Sequence, residues 1–211
     1  MLPWLRAVSA RLRKSAIEVG QERKIFGIGL SKTGTSSLTE ALNVLGHDAV
    51  HWISPITSEV LSDRDFFIFG ASTDVSVADQ FEKLYHRYPN ALFIWTGREV
   101  ESWTRSLLAH HRRTSWVRTF DELRELYARP FHPHMSVNTE IHFGLMLNFQ
   151  TPEEAYAAFA QRVRHFFADK PKHKLLELDI IGGQGWPELC GFLDVPVPEA
   201  PFRCVRRSAV R

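Results

Sequence analysis

FGIGLSKTGTSSL, residues 26–38, decides how this chain is read. An apolar run ends in glycine. A lysine, a second glycine and five hydroxyl residues follow (Ser31, Thr33, Thr35, Ser36 and Ser37), and then a helix begins. Glycines let backbone N–H groups turn inward, and the start of a helix adds partial positive charge. Lys32 brings a full charge. The stretch therefore predicts a strand–loop–helix turn that wraps an anion. A hydroxyl-rich helix cap with no ligand is the plainer alternative, and the number of anion donors packed into one turn argues against it. Gly29 and Gly34 have the spacing of the loop G-x-x-x-x-G-K-[ST] that holds nucleoside triphosphates. Yet Thr35 and Ser36 follow Gly34, and the lysine sits inside the loop. That departs from a site for magnesium-bound polyphosphate and suits a ligand with less charge to neutralise.

Outward from this loop, strand and helix signals alternate. A first strand is expected at 24–29, and a helix at 35–45 that Gly46 stops. A short second strand follows at 47–52. The run DFFIFGAS, 65–72, reads as a buried strand. A helix at 77–88 ends at Pro89, and ALFIWTG, 91–97, is a strong strand signal closed by glycine. A helix runs from 100 to about 111. The stretch 112–150 is less regular, with one helical segment at 116–128 and a proline-rich loop, RPFHPHMS. Thr151, Pro152 and Glu154 predict a capped helix start, and that helix should reach about residue 168. KLLELDI, 174–180, is the last strand and WPELCGFL a short final helix. This order predicts an α/β fold with a parallel sheet and helices on both faces, and a ligand site at the C-terminal strand ends.

At 211 residues the chain fits one domain. Its 44% hydrophobic and 24% charged content are ordinary for a globular protein. Cys190 and Cys204 are too few for a disulfide framework, so a reducing, cytoplasmic setting is expected. A net charge of +2 gives no reason to expect nucleic acid as a partner. No apolar run approaches the roughly 20 residues of a membrane span. Residues 1–23 carry arginines where a secretion signal would be apolar. They read as an N-terminal helical extension, with Leu2, Leu5, Val8 and Leu12 on one side. Packing on the domain is the simpler role for it, and peripheral membrane contact the other.

The loop SKTGTSSL resembles the 5′-phosphosulfate loop of sulfotransferases that use 3′-phosphoadenosine-5′-phosphosulfate (PAPS). That family binds the 3′-phosphate with an arginine after a later strand and a serine eight residues on. ALFIWTGREVESWTRSL supplies Arg98 and Ser106 at that spacing. A third stretch, HKLLELDIIGGQGWPELCGFLDVPVPEAPF, resembles the closing segment of the P-loop sulfotransferase-like family widespread in bacteria. Arg203 stands where that pattern often has a final proline. The resemblance covers residues 24–203 and is weakest across 107–150.

The resemblance implies a three-layer, P-loop NTPase-like α/β domain over 24–211, with 107–150 as an acceptor-binding or lid insertion. It implies PAPS as cosubstrate, without a metal, and a small-molecule, carbohydrate or peptide acceptor. Ser31, Lys32, Thr33, Gly34, Thr35, Ser36 and Ser37 would hold the 5′-phosphate, with Lys32 stabilising charge on the bridging oxygen. Arg98 and Ser106 would bind the 3′-phosphate, and Arg203, with Arg206 and Arg207, would close over it. A general base is needed for the acceptor's proton. His51, at the end of the second strand, and Asp74 both qualify; the reading leans to His51 as base and Asp74 as its partner. Trp52, Phe67 and Trp103 are each either core residues or stacking surfaces. HHRRTSWVR, 110–118, is a basic helix end that either guides an anionic acceptor or is simply solvated. His132 and His134 have no third ligand at metal spacing and read as part of a lid. Two rivals remain: a small-molecule kinase using ATP and magnesium, and a non-catalytic nucleotide-binding module of the same fold.

Overall fold

Strand β1 (Ile25–Gly27) lies inside a parallel sheet of order β2 (Ala49–His51), β3 (Ala71–Thr73), β1, β4 (Leu92–Thr96) and β5 (Leu175–Leu178). The computed structural model that shows this describes residues 22–129 and 136–204. The expected N-terminal helix, His132, His134, Arg206 and Arg207 lie outside the described residues.

The central strands β1 and β4 are buried on both faces, as a sheet covered on both sides requires. All five residues of β4, LFIWT, are buried. Phe93 and Trp95 join Phe26 in one core, while Leu92 and Ile94 join Ile25 in the other. Helix α1 (Thr35–Val44) covers the second core with Leu38 and Leu42. Helices α2 (Asp63–Ile68), α3 (Val75–Ala78) and α4 (Phe81–Arg87) follow, then α5 (Val100–Ser115) and α6 (Phe120–Ala128). Next come α7 (Ser136–His142), which runs into a π-turn (Phe143–Leu147), α8 (Pro152–Phe167) and α9 (Trp186–Leu193). Phe81, Trp103, Phe159 and Phe167 carry α4, α5 and α8 onto the first core. The layers are therefore helix, parallel sheet, helix. Each buried Leu or Phe contributes about 1.5–3 kcal/mol to holding them together.

Three expectations about elements need correction. Residues 65–72 are not one strand: α2 occupies their first half, and β3 begins only at Ala71. The reason lies just upstream. The Asp65 carboxylate accepts from the Ser62 backbone N–H (3.0 Å) and hydroxyl (3.1 Å), a helix start that outweighs the apolar run. At the other end, buried Lys24 donates to the carbonyls of Phe67 and Phe69 (2.8 and 2.7 Å), satisfying groups the helix leaves open. The stretch 112–150 is also more ordered than its composition suggests, since α7 and the π-turn bury Ile141, Leu145, Met146 and Leu147. The helix expected at 77–88 is interrupted, since α3 ends at Ala78 and α4 begins at Phe81, with Gln80 in a non-helical conformation between them. At the start of α8 the local signals hold. Thr151 Oγ1 accepts from the Glu154 N–H at 3.1 Å, and Pro152 opens α8. Among the described residues no helix is long and apolar enough to cross a membrane.

The connection after β1 leaves toward β2, whereas the one after β3 crosses back over to β4. Connections parting in opposite directions open a crevice at the carboxyl ends of β1 and β3. Close approach of the backbone there depends on Gly29. A Cβ at that position would collide with the Thr96 hydroxyl and lie 2.5 Å from Thr33 Oγ1. Gly29→Ala should therefore destabilise the fold by about 1–3 kcal/mol. Denaturant unfolding checks this, and an unchanged midpoint would show that the β1–β4 approach is not tight.

Candidate active site

The residues of the loop after β1 divide into those that build it and those that face solvent. Thr33 builds it. Its hydroxyl donates to the Leu30 carbonyl (2.7 Å) and meets Thr96 Oγ1 (2.7 Å), so it is buried beneath the loop. Trp103 Nε1 donates to the Ser31 carbonyl (2.9 Å) and Arg98 to the Lys32 carbonyl (2.8 Å). Two carbonyl dipoles that would repel an anion are thus held by donors from the β4–α5 connection and α5. Lys32 and Gly34 take left-handed conformations, with φ 73 and 106. Gly34 offers no capping side chain, and no acidic residue stands in the first turn of α1. The first N–H groups of that helix therefore face the cleft with its partial positive charge.

The cleft has a volume of about 490 Å³. Ser31, Lys32, Gly34, Thr35, Ser36 and Ser37 line it from the loop and α1. His51 and Asp74, from the ends of β2 and β3, and Arg98 and Ser106, from the β4–α5 connection and α5, line it as well. Ten of the residues singled out in the sequence thus meet in one place. Thr33 does not face the cleft, for the reason given. Arg203 lies in an exposed segment and is not among the lining residues. Of the three candidate stacking residues, Trp52 lines the cleft, Trp103 is wholly buried, and Phe67 is half-buried outside it.

Arg98 is positioned by α5. Its Nε and NH2 groups donate to Ser102 Oγ (3.0 and 2.9 Å), and Tyr156 accepts from its backbone N–H (2.7 Å). Glu99 caps α5 by accepting from the N–H groups of Glu101 and Ser102, each at 2.7 Å. Ser102, Ser106, His110 and Arg113 then recur at helical spacing along one face of α5 and line the cleft. Ser102 was not among the expected residues. Its position one turn after Arg98 was the available signal.

His51 and Asp74 form a pair. His51 Nε2 lies 3.4 Å from Asp74 Oδ2 and 3.1 Å from Ser36 Oγ. Thr35 Oγ1 donates to Asp74 Oδ1 at 3.2 Å. Asp74 is nearly buried and sits at φ 88, ψ −171, a region that costs non-glycine residues roughly 1–3 kcal/mol. Lys32 and Trp52, with φ 53, also have positive φ, and all three line the same cleft.

Part of the cleft wall comes from 107–150, the stretch where the family resemblance is weakest. His111, Tyr127 and His142 line it, with the Tyr127 and His142 rings 4.8 Å apart. His142 Nδ1 donates to the Asn138 carbonyl at 2.7 Å. Burial, helped by the charges of His110, His142 and Lys32, lowers the His111 pKa to about 4. Burial also lowers that of His142, and raises that of Tyr127 to about 12. At pH 7 this part of the wall is uncharged.

Residues 24–68 and 63–210 match a family model described as Sulfotransferase domain. The chain is also 30% identical over 212 aligned residues to Ava biosynthesis cluster protein M of Aspergillus versicolor. That alignment covers 85% of this chain and 79% of the relative.

Folded His111 takes up its proton only near pH 4, whereas the unfolded chain does so near 6.5. The unfolded state binds more protons in between, so stability should fall as pH drops through that window. Denaturant unfolding at pH 7 and pH 5 should show a smaller loss for His111→Gln than for wild type; equal losses would remove His111 as a source. The backbone at Asp74 gives a second expectation. Asp74→Gly should be more stable than Asp74→Ala by about 1 kcal/mol, since only glycine relaxes there. Equal midpoints would mean that the positive φ stores no strain.

Proposed function

The chain belongs to the sulfotransferase family, and from that premise we propose that it transfers the sulfuryl group of PAPS to a hydroxyl or amine of its acceptor. The observation that carries this reading is one cleft that gathers Lys32, inside the loop after β1, with Arg98 and Ser106. The loop and the start of α1 suit the 5′-phosphate, with Lys32 against the bridging oxygen, where charge builds during transfer. Arg98 suits a phosphate because its guanidinium can make paired, charge-assisted bonds. Ser106 and Ser102 flank it on α5. Arg203 stands outside this group and has no role in the reading. The cosubstrate supplies an activated sulfuryl group, and catalysis then rests on positioning and charge stabilisation rather than on a covalent enzyme intermediate.

His51 is the general base in this reading, taking the acceptor's proton on Nε2. Asp74, 3.4 Å away, stabilises the imidazolium that results. Residues 107–150 serve as the acceptor-binding insertion within a domain spanning 24–211. Their neutral wall of His111, Tyr127 and His142 supports that role, because it can meet an acceptor without setting a further charge beside Lys32. A magnesium-dependent kinase is a poorer fit. Its lysine would follow Gly34, and the carboxylate nearest the loop, Asp74, is already engaged by Thr35 and His51.

Calorimetric titration tests the proposal. 3′,5′-Diphosphoadenosine should bind without metal and much more tightly than 5′-AMP, and preference for ATP with magnesium would overturn the reading. Arg98→Ala should weaken 3′,5′-diphosphoadenosine by roughly 10–100-fold and 5′-AMP by clearly less, the smaller loss reflecting the Lys32 carbonyl that Arg98 also holds. Lys32→Ala should lower kcat by roughly 100–1,000-fold with a smaller effect on affinity. Equal losses in both would make Lys32 a binding residue only.

A further inference from the structure

Behind His51, away from the cleft, runs a line of buried hydroxyls that the chemistry above does not use. His51 Nδ1 lies 3.0 Å from Thr73 Oγ1. Thr73 Oγ1 lies 2.6 Å from Thr39 Oγ1, and Thr39 Oγ1 lies 2.9 Å from the Thr35 carbonyl. Thr39 and Thr73 are both buried. Neither lines the cleft. They come from α1 and β3, while His51 ends β2, so the line exists only in the folded chain.

The line has a direction because its last member can only accept. A carbonyl has no proton, so Thr39 must donate to Thr35. A hydroxyl has one proton, so Thr39 must then accept from Thr73. The Thr73 proton is thereby used, and Thr73 can only accept from His51 Nδ1. Reversing the order would set the Thr39 oxygen against the Thr35 carbonyl with no proton between them, leaving two bonds where three are available. Burial makes that loss costly.

We infer that Thr39 and Thr73 are positioning residues that hold the proton of neutral His51 on Nδ1 and leave the Nε2 lone pair facing the cleft. This rests on the reading of His51 as general base, and it adds what makes that base competent. In the other tautomer Nε2 would carry the proton, bonded to Asp74, and could take none from an acceptor. With Nδ1 protonated, Nε2 accepts from Ser36 at rest. When an acceptor O–H or N–H gives up its proton, that proton forms a new bond to Nε2. The electron pair of the broken bond stays on the acceptor atom. The ring becomes an imidazolium with one N–H toward Thr73 and the other toward Asp74. The third group that orients the base is thus a threonine relay anchored on the backbone of the anion-binding helix, and the carboxylate sits on the reacting side of the ring.

The relay is tested by long-range ¹H–¹⁵N correlation of the histidine rings in the full-length, ¹⁵N-labelled protein, at a pH where His51 is neutral. Its signals are assigned by their loss in His51→Gln. Wild type should show Nδ1 protonated and Nε2 bare. Thr39→Val does not touch His51, yet it frees the Thr73 proton to turn toward Nδ1. It should move the ring toward the Nε2–H tautomer and lower kcat by roughly 10–100-fold. Affinity for 3′,5′-diphosphoadenosine should hold. Thr73→Val should act likewise, and Thr73→Ser, which keeps the hydroxyl, should restore both signals and rate. A wild-type ring protonated on Nε2, or a Thr39→Val ring identical to wild type, would overturn the relay. Failure of the sulfotransferase reading looks different. It would appear as absent binding of 3′,5′-diphosphoadenosine with the tautomer as expected, and so leave the relay standing.

Discussion

The loop after β1 must hold its backbone left-handed at Lys32 and Gly34, and the rest of the site depends on what restrains it. Gly34 adopts that conformation freely, but Lys32 does not. The restraint comes from three directions. Thr33 bonds beneath the loop to Leu30 and Thr96. Trp103 and Arg98 hold the carbonyls of Ser31 and Lys32 from α5 and its approach. The helix after the loop packs on β1 and β3 through Gly27, where a Cβ would come within 2.8 Å of both Leu38 and Thr73. The shape of this loop is therefore a property of three neighbouring elements. Arg98 serves it twice, as a restraint on the loop and as a cation facing the cleft.

Charge is distributed unevenly around the cleft. Lys32, Arg98, Arg113 and the start of α1 make one side cationic. His111 and His142, kept neutral by burial, and Tyr127 add lining without charge. A neutral wall costs less to bury beside Lys32 than a charged one. His142 also sits where α7 passes into the π-turn Phe143–Leu147. Such turns interrupt a helix and redirect its side chains, and they are frequent at functional sites. Positive φ at Lys32, Trp52 and Asp74 follows the same pattern, since strained backbone persists only where the surroundings over-determine it.

Much of this was legible in the sequence because it is local. The loop signature, the strand ALFIWTG and the capped start at Thr151 are each written within a few consecutive residues. The alternation of strands and helices follows from hydrophobic period and capping. Where the reading failed, a second local signal competed. The Ser62–Asp65 cap turned the first half of DFFIFGAS into a helix, because a short apolar run has no period that separates strand from helix. Thr33 was grouped with the ligand-facing hydroxyls because sequence gives residue type and not side-chain direction.

From the sequence alone follow a lysine-bearing loop at the opening of an α/β domain, Arg98 after a later strand, and Ser106 eight residues on. These are matters of order and spacing along the chain. Tertiary structure decided which side chains meet. His142 reaches the cleft from a helix that no local signal marked, Tyr127 from the helix expected at 116–128 once packing had turned it to the cleft, and Ser102 takes up Arg98 only once α5 is in place. Parallel strands also align residues far apart in sequence, setting His51 opposite Thr73, with Thr39 behind it on α1. The direction of hydrogen bonds along that line depends on which carbonyl ends it, and only the folded backbone supplies one.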